Sequence, residues 1–406
     1  MRRPPAALLA ALAVGCMGGV ASGPRATGEA RLEDILASHP GLAPVLAAAR
    51  EHRLQVVLGL VEEGADGRPV LLQHRFRAGA EYLYPASTVK LFAAVAALER
   101  LAELRAETGL PIDQDTPLVY HRLFAGEERV DHDPSNSDGG AVTVRHEIRK
   151  LFLVSDNEAF NRLYELVGQD RLAASLARAG LGEARIAHRL SEPRNAEENR
   201  TFPRIDFVGD GFVHTLPQRQ SPPLPAAPAV PGLQIGDAYV AGDETVQGAM
   251  DFSVKNRVAL AALQRGLCMV VRPDVACGGP GYALADADRE LLLEAMSQYP
   301  RESDNPVYDP DEYPDAWGKY LLPGVARVVS SERLRIYNKY GQAYGFTLDN
   351  AWVVDRGTGQ SFFLAVALYT NADGVLNDDR YEYDEVALPF LADLGEAVAR
   401  HLWGAT

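Results

Sequence analysis

Segments with the apolar pattern of β-strands lie near both ends of this 406-residue chain, and a helical middle separates them. Short apolar runs bounded by turn residues predict strands at residues 55–61, 70–74, 334–337, 351–355 and 361–369. Strands near the start of the chain and strands near its end can form one sheet only when the two chain ends pair with each other. We therefore expect an α/β fold of the α+β type, in which an antiparallel sheet flanked by helices is joined to an all-helical subdomain.

The middle of the chain has apolar residues at helical spacing. The longest such segment, residues 88–105, predicts a largely buried helix. The same pattern predicts helices at residues 144–154, 158–167, 171–179, 254–270, 285–298 and 386–402. Two segments interrupt it, since residues 221–232 are proline-rich and predict an extended loop, and residues 308–313 predict an acidic surface loop.

The first candidate site is Ser87-Thr88-Val89-Lys90, at the start of the longest helix. A serine and a lysine at this spacing lie on one helix face, where the amine can accept the proton of the hydroxyl. A lysine acts as a base only when its pKa is lowered, and the apolar residues after Lys90 predict the burial that lowers it. Taken alone, an N-cap serine with a surface lysine explains this motif better.

Two later motifs also have reactive or binding side chains. Ser155-Asp156-Asn157 follows the helix at 144–154, and its serine can relay a proton while its asparagine binds a substrate carbonyl. Lys339-Tyr340-Gly341 follows directly after the strand at 334–337 and offers a positive charge and a residue without a side chain. Helix capping and a strand-end turn explain each motif when it is considered by itself.

The order and spacing of these motifs resemble the Ser-x-x-Lys, Ser-Asp-Asn and Lys-Thr-Gly signature of class A β-lactamases and penicillin-binding proteins. The interval from Ser87 to Ser155 is also similar to theirs. The resemblance covers most of residues 31–190 and 320–405. It implies a β-lactamase/transpeptidase-like fold for residues 31–406, with insertions around residues 203–250 and 299–320.

The resemblance implies a role for each matching residue. Ser87 is expected to form an acyl-enzyme with the help of Lys90, and Ser155 to move protons. The backbone N–H groups of Ser87 and Gln342 are expected to form the oxyanion hole. No metal and no organic cofactor are implied. The residues expected to bind the substrate are Asn157, Lys339, Gly341 and Gln342.

Three positions depart from the family pattern. Tyr340 replaces the usual threonine, and Gln342 stands where a small residue is common. The stretch directly after Gly345, residues 346–350, has no arginine to help hold a β-lactam carboxylate. The first and last changes weaken the expected recognition of an anion.

The glutamate that activates water for deacylation is expected in a loop between the second and third motifs. The best match is Glu192 in Glu192-Pro193-Arg194-Asn195, although its spacing to the asparagine is one residue short. Glu197 and Glu198 are close rivals for the role.

Three functions are consistent with these residues. The first is a serine hydrolase of β-lactams that acts through a Ser87 acyl-enzyme. The second is a cell-wall D,D-peptidase or an esterase, and the third is a penicillin-binding module without turnover. In each case the substrate is a small-molecule or peptidoglycan-like acyl compound, and we expect a monomer.

Residues 1–22 have the pattern of an export signal, in which Arg2 and Arg3 precede an apolar run and small residues follow. Cys16 ends the run in a pattern resembling a bacterial lipoprotein cleavage box, in which residues 1–15 are removed and Cys16 is lipidated. An ordinary signal peptide cut after Ser22 fits equally well. We therefore expect a bacterial protein that is exported, either periplasmic or lipid-anchored at the envelope.

Charge and cysteine content restrict the partners further. The formal net charge of −15 disfavours nucleic acids and anionic membrane surfaces. Attachment to a membrane is expected only through Cys16, because no later stretch has the ~20 uninterrupted apolar residues of a spanning helix. In an oxidising compartment Cys268 and Cys277 are candidates for a disulfide, with two buried thiols as the alternative.

Overall fold

The computed structural model describes residues 28–404, so the predicted leader and Cys16 lie outside the described residues. The helices are α1 (Gly28–Ser38), α2 (Ala43–Ala47), α3 (Lys90–Thr108), α4 (Val144–Leu153), α5 (Asn157–Val167), α6 (Gln169–Arg178), α7 (Leu260–Val271), α8 (Asp286–Ser297), α9 (Leu322–Val325) and α10 (Leu388–Trp403). The strands are β1 (Gln55–Glu63), β2 (Pro69–Phe76), β3 (Leu118–Tyr120), β4 (Thr201–Phe202), β5 (Ile205–Gly209), β6 (Phe212–Leu216), β7 (Arg219–Gln220), β8 (Gln234–Ile235), β9 (Ala238–Ala241), β10 (Glu244–Gln247), β11 (Met250–Asp251), β12 (Leu334–Ala343), β13 (Phe346–Asp355), β14 (Ser361–Tyr369) and β15 (Val375–Leu376).

The main sheet joins the two chain ends as predicted. Its five strands have the order β12-β13-β14-β1-β2, and every neighbouring pair is antiparallel. The junction between the ends is β1 against β14, where Leu58 lies opposite Leu364. The predicted α+β fold with an antiparallel sheet is therefore confirmed.

The main sheet is buried on both faces. Along β14, Phe363 and Ala365 pack into one core, whereas Leu364 and Val366 pack into the other. Neighbouring side chains of a strand point to opposite faces, so burial of both faces gives a continuous apolar run rather than alternation. Helix α7 packs on the first face, and α1 and α10 contribute to the second core.

The helical subdomain forms around α3, which packs against α4, α5 and α6. The predicted helix at 254–270 was wrong at its start, because α7 begins only at Leu260. Arg257 instead forms an isolated bridge to Arg185, in which each backbone N–H donates to the other carbonyl at 2.7 Å. This pairing holds the preceding residues extended and delays the helix.

The third motif lies inside a strand and not after one, which corrects the prediction from the sequence. Strand β12 continues past Tyr337 because its ladder with β13 runs on to Ala343, which pairs with Phe346. Residues Lys339 to Gly341 therefore belong to the edge strand of the main sheet. An edge strand has one side of its backbone free to face another element.

The segment 203–250 folds into short strands around the proline-rich stretch at 221–232, which has no helix or strand, as predicted. Strand β9 pairs with β10 and, in parallel, with β15 near the carboxyl end. Cys268 and Cys277 are joined in a disulfide with their Cα atoms 5.9 Å apart. None of the helices within residues 28–404 has the length and apolarity needed to cross a membrane.

Candidate active site

Ser87 lies where a strained turn meets a buried helix. The 3₁₀ turn Ala86–Val89 leads directly into α3, and Ala86 has a left-handed backbone with φ of 46°. Such a conformation is costly for a residue with a side chain and often marks a functional site. Ser87 is half-buried, whereas Ala86 and Thr88 are buried. Its hydroxyl therefore lies at the amino end of a helix, where the helix dipole favours negative charge.

Lys90 is the first residue of α3, and its side chain is fully buried. Its Nζ donates to the backbone carbonyl of Ser155 and to Oδ1 of Asn157 at 2.6 Å, and lies 3.1 Å from Ser155 Oγ. Among the described residues, the Lys90 side chain makes no hydrogen bond to Ser87. Burial lowers the pKa of Lys90 to about 7, although the negative charge of Asp156 opposes this shift. A neutral amine on Lys90 can donate its two N–H groups to the Ser155 carbonyl and to Asn157 Oδ1. Its lone pair then remains free to accept a proton.

Lys339 reaches the same hydroxyl from the sheet. Its Nζ donates to Ser155 Oγ at 2.8 Å and to the carbonyl of Tyr340 at 3.0 Å. Burial lowers the pKa of Lys339 well below its usual value, and the positive charge of Lys90 lowers it further. Ser155 thus lies between two buried lysines. Because its hydroxyl both donates and accepts, it is suited to passing a proton between them.

Asn157 links Lys90 to a loop across the cleft. Its Oδ1 accepts from Lys90, and its Nδ2 donates to Ser191 Oγ at 2.8 Å. Asp156 caps α5 by accepting from the backbone N of Ala159 at 2.8 Å. Capping therefore explains Asp156 in the second motif, but it does not explain the contacts that the side chain of Asn157 makes.

Gly341 allows β12 to lie directly against the Ser87 turn. A Cβ at this position would lie 2.7 Å from the backbone N of Ser87 and 3.0 Å from the Cβ of Ala86. Contacts that short do not occur in folded proteins, so a side chain here would push the strand and the turn apart. Gln342 follows on the strand and lines the same cavity as Ser87.

Glu192 also lines the cavity that contains Ser87. Its carboxylate lies 3.5 Å from Arg189 Nε and 3.6 Å from Arg194 Nε. Both guanidinium groups therefore lie within ion-pair distance of this carboxylate. Its side chain is 37% exposed, so water has access to it.

The loop that carries Glu192 is organised around the buried side chain of Arg189. The guanidinium donates to Glu165 at 2.8 Å and to the backbone carbonyls of Glu198 and Thr201 at 3.0 and 2.9 Å. Glu197 and Glu198, the rival candidates, come at the 3₁₀ turn that follows, and neither lines the cavity of Ser87.

The cavity beside Ser87 has a volume of about 820 Å³. The loop from His188 to Pro193 forms one part of its wall, and Gln342 to Tyr344 at the end of β12 form another. Strand β9 and the loop after β15 complete it, and Asn377 Nδ2 ties them together by donating to the Val240 carbonyl at 3.2 Å. Part of the segment 203–250 therefore borders the cleft.

Comparison with known proteins agrees with this geometry. Residues 73–206, which include the first two motifs and Glu192, match the profile of a family described as the beta-lactamase enzyme family. The structure of a beta-lactamase from Desulfarculus baarsii superposes with a TM-score of 0.50 and 18% identity, over 92% of this chain and 98% of that one. This chain has a β-lactamase-like fold. The expected resemblance to the class A β-lactamases and penicillin-binding proteins is thus confirmed for the fold and for residues 73–206.

Other solved structures match over similar lengths. A class A beta-lactamase from Clostridium kluyveri gives a TM-score of 0.49 at 15% identity, over 89% of this chain and 98% of that one. The beta-lactamase from Streptomyces albus G gives 0.47 at 16%, over 92% and 99%. Comparison with the sequences of curated proteins found no match.

Within this β-lactamase-like fold, Tyr340 ties the segment 299–320 to the third motif. Its ring packs edge-on against Tyr320, with centroids 5.2 Å apart. A Cβ on Gly318 would lie 2.0 Å from the Tyr340 ring, and Lys339 Nζ lies 3.9 Å from the centroid of that ring. An aromatic ring therefore occupies the position at which the family has a small hydroxyl.

One group of side chains among the described residues has the geometry of a metal site. One ligand atom from each of His39, Asp393 and Glu396 lies within 4.8 Å of the others. The guanidinium of Arg327 donates to both carboxylates at 2.8 Å, and Arg400 Nε donates to Glu396 at 2.8 Å, so two positive charges already offset the two negative ones. None of these residues lines the cavity of Ser87.

Reasoning from the sequence missed most of the residues that line the β-lactamase-like cleft, among them Ser191, Lys255 and Tyr344. Tyr344 had a usable signal, since a tight turn ending in Gly345 joins two strand patterns. Ser191 and Lys255 had no local signal, because their positions depend on contacts with distant elements.

Proposed function

We propose that this chain is a serine hydrolase that forms an acyl-enzyme on Ser87, with β-lactams as the first candidate substrates. The observation that carries this proposal is the convergence of Lys90 and Lys339 on the hydroxyl of Ser155 beside the Ser87 turn. Structural lysines rarely share one neutral hydroxyl, because two buried positive charges repel each other.

In the proposed acylation, Ser87 Oγ attacks the carbonyl carbon of the substrate. Its proton passes to the neutral amine of Lys90, directly or through Ser155. The carbonyl oxygen becomes negative and accepts hydrogen bonds from the backbone N–H groups of Ser87 and Gln342. These hydrogen bonds stabilise the negative charge. When the tetrahedral intermediate collapses, the bond to the leaving group breaks and Ser155 returns the proton to that group.

Deacylation would use Glu192. The carboxylate removes a proton from water, the hydroxide attacks the acyl carbon, and the bond to Ser87 breaks as its Oγ regains a proton. The support for this role is that Glu192 lines the cavity of Ser87 and that its carboxylate lies within ion-pair distance of two arginines. Turnover of β-lactams depends on this step.

A second candidate, a cell-wall D,D-peptidase or an esterase, is favoured by the environment of Tyr340. The threonine hydroxyl that would meet a β-lactam carboxylate is replaced by a packed ring, and residues 346–350, directly after Gly345, include no arginine. A penicillin-binding module without turnover is the third candidate. It requires that Glu192 stay paired with Arg189 and Arg194 and not activate water.

The test is covalent labelling. The protein is treated with a reactive penicillin and, separately, with a fluorophosphonate, and the adduct is mapped by mass spectrometry. We expect one adduct, on Ser87, that is absent in Ser87→Ala. An adduct on another serine, or labelling that persists in Ser87→Ala, would refute the proposal. Following the wild-type adduct over time separates the candidates, since an adduct that never clears contradicts β-lactam hydrolysis.

We also propose that the protein is exported, either anchored through Cys16 or released after removal of an ordinary signal peptide. The support is the basic start at Arg2 and Arg3, the apolar run and the position of the cysteine. If Cys16 is lipidated, the full chain should partition into detergent in a bacterial host, and Cys16→Ser should move it to the aqueous phase. Partitioning that is unaffected by Cys16→Ser rules out the anchor and leaves an ordinary signal peptide.

A further inference from the structure

The large cavity extends to only one side of Ser87. It is lined by Asn157 and Ser191, whereas Ser155 and Lys339 are not among the described residues that line it. By the family resemblance Asn157 binds the substrate amide, so this is the side that receives the acyl part. The opposite side is closed by the ring of Tyr340 and the segment packed on it.

Lys255 brings a positive charge into this cavity. It is only half-buried, whereas every other lysine of the chain is buried, namely Lys90, Lys150, Lys319 and Lys339. Its Nζ donates to the hydroxyl of Tyr344 at 3.3 Å, and it has no carboxylate within ion-pair distance among the described residues. An ammonium group has three N–H donors, so two remain for a bound group.

Tyr344 holds that ammonium group in place. With Gly345 it forms the two-residue turn between β12 and β13, and its φ of 53° belongs to the left-handed region. This position normally takes asparagine, aspartate or glycine, and an aromatic residue there is strained. The ring is held by edge-on contacts to Tyr84 and Phe252, with centroids 5.1 and 5.3 Å away.

The other charges of the cavity do not neutralise Lys255. Glu192 is engaged with Arg189 and Arg194, and the Arg189 guanidinium is bound within its own loop. Asp379 lines the rim but is exposed, so water and salt screen its charge. Lys255 is therefore the uncompensated charge on the half-buried wall.

We propose that Lys255 and Tyr344 form a subsite that binds a carboxylate on the acyl part of the substrate. This inference rests on the proposed acyl-enzyme function of Ser87. The family resemblance predicts that the anion of the substrate is held beside the third motif. The proposed subsite holds it on the other side of Ser87. The anion-binding group has moved to the acyl side, where the cavity offers room for a long acyl chain.

The test uses pairs of acyl thioesters that end in a carboxylate or in the matching primary amide. Glutaryl, adipoyl and pimeloyl chains are compared because the distance from Ser87 to Lys255 decides which chain length fits. The second-order rate constant for acylation of Ser87 is measured by intact mass. Wild type should prefer the carboxylate at one chain length at least. In Lys255→Met the ratio of carboxylate to amide should fall roughly tenfold, as expected for loss of one charge-assisted hydrogen bond. Lys255→Arg should restore most of it.

The matched control is Arg68→Met, which removes one positive charge from a side chain that is 83% exposed and does not line the cavity. It should leave the ratio unchanged. A ratio that is equal in wild type and Lys255→Met overturns the subsite, while acylation of Ser87 in both leaves the proposed function intact.

Binding to Ser87→Ala gives a measurement that does not depend on acylation. Glutarate, adipate and pimelate are titrated against the corresponding diamides, and Lys255→Met in this background should weaken binding of the dicarboxylates alone. Equal affinities for acid and amide overturn the subsite. Failure of the fluorophosphonate to label Ser87 in the wild-type protein would instead refute the proposed function.

Discussion

The two walls of the Ser87 cleft hold their charges in opposite ways. On one wall Lys90 and Lys339 are buried and donate only to neutral oxygens, including the shared hydroxyl of Ser155. On the other wall Glu192 is partly exposed and lies between two arginines. Burial lowers the pKa of both lysines and so favours the neutral amine, whereas the partly exposed carboxylate of Glu192 is accessible to water. The first wall is thus suited to accept the serine proton, and the second to activate water.

The largest effect should come from removing the amine of the first wall. Lys90→Met keeps the length of the side chain but has no lone pair, so the rate of Ser87 acylation should fall about 10²–10⁴-fold. It also leaves Asn157 Oδ1 without its donor, at a cost of about 1–3 kcal/mol in the free energy of unfolding. Labelling rates are compared at a temperature at which circular dichroism shows both proteins folded. A loss of less than a few fold contradicts the role of Lys90.

Removing the carboxylate of Glu192 from the second wall should change the lifetime of the acyl-enzyme and not the rate at which it forms. In Glu192→Gln we expect acylation near the wild-type rate and an adduct that persists about 10²–10⁴-fold longer. Glu197→Gln and Glu198→Gln are the controls, because neither side chain lines the cavity. Prolonged adducts in one of these controls, with Glu192→Gln unchanged, would move the role to that residue.

The close contact between strand β12 and the Ser87 turn is tested by Gly341→Ala. The added Cβ would lie 2.7 Å from the backbone N of Ser87, so the strand and the turn must separate. Displacement of reacting groups by about 1 Å costs on the order of 10²-fold in rate. Gly182→Ala is the control, since its Cβ would make an ordinary contact of 3.6 Å with Ala177. Wild-type acylation in Gly341→Ala would show that the strand does not position Ser87.

The pH dependence of acylation tests the protonation state of Lys90 without changing any residue. Burial lowers the pKa of Lys90 to about 7, and only the neutral amine accepts a proton. The acylation rate should therefore rise about tenfold per pH unit up to neutrality and level off above it. The check is the rate of fluorophosphonate labelling over roughly pH 5 to 9. A rate that is constant across this range, or that falls as pH rises, would exclude Lys90 as the base.

The sheet was predictable because its strands leave a strong signal. Burial of both faces of β14 makes residues 361–369 continuously apolar. The start of α7 and the end of β12 were not predictable, since each depends on pairing with a distant segment. The backbone of Arg257 is held by Arg185, and β12 is prolonged by β13. Long-range pairing of this kind overrides local propensity.

For the candidate site, the sequence alone determined which chemical groups are present and in what order. Ser87, Lys90, Ser155 and Lys339 were identified because the order and spacing of their motifs resemble the signature of class A β-lactamases and penicillin-binding proteins. Only the tertiary structure decided that both lysines meet at one hydroxyl and that Glu192, not its neighbours, lines the cavity. It also decided that Lys255 faces the acyl side without a counter-charge. Burial and pairing are properties of the folded chain, since they depend on which distant residues come within a few ångströms of one another.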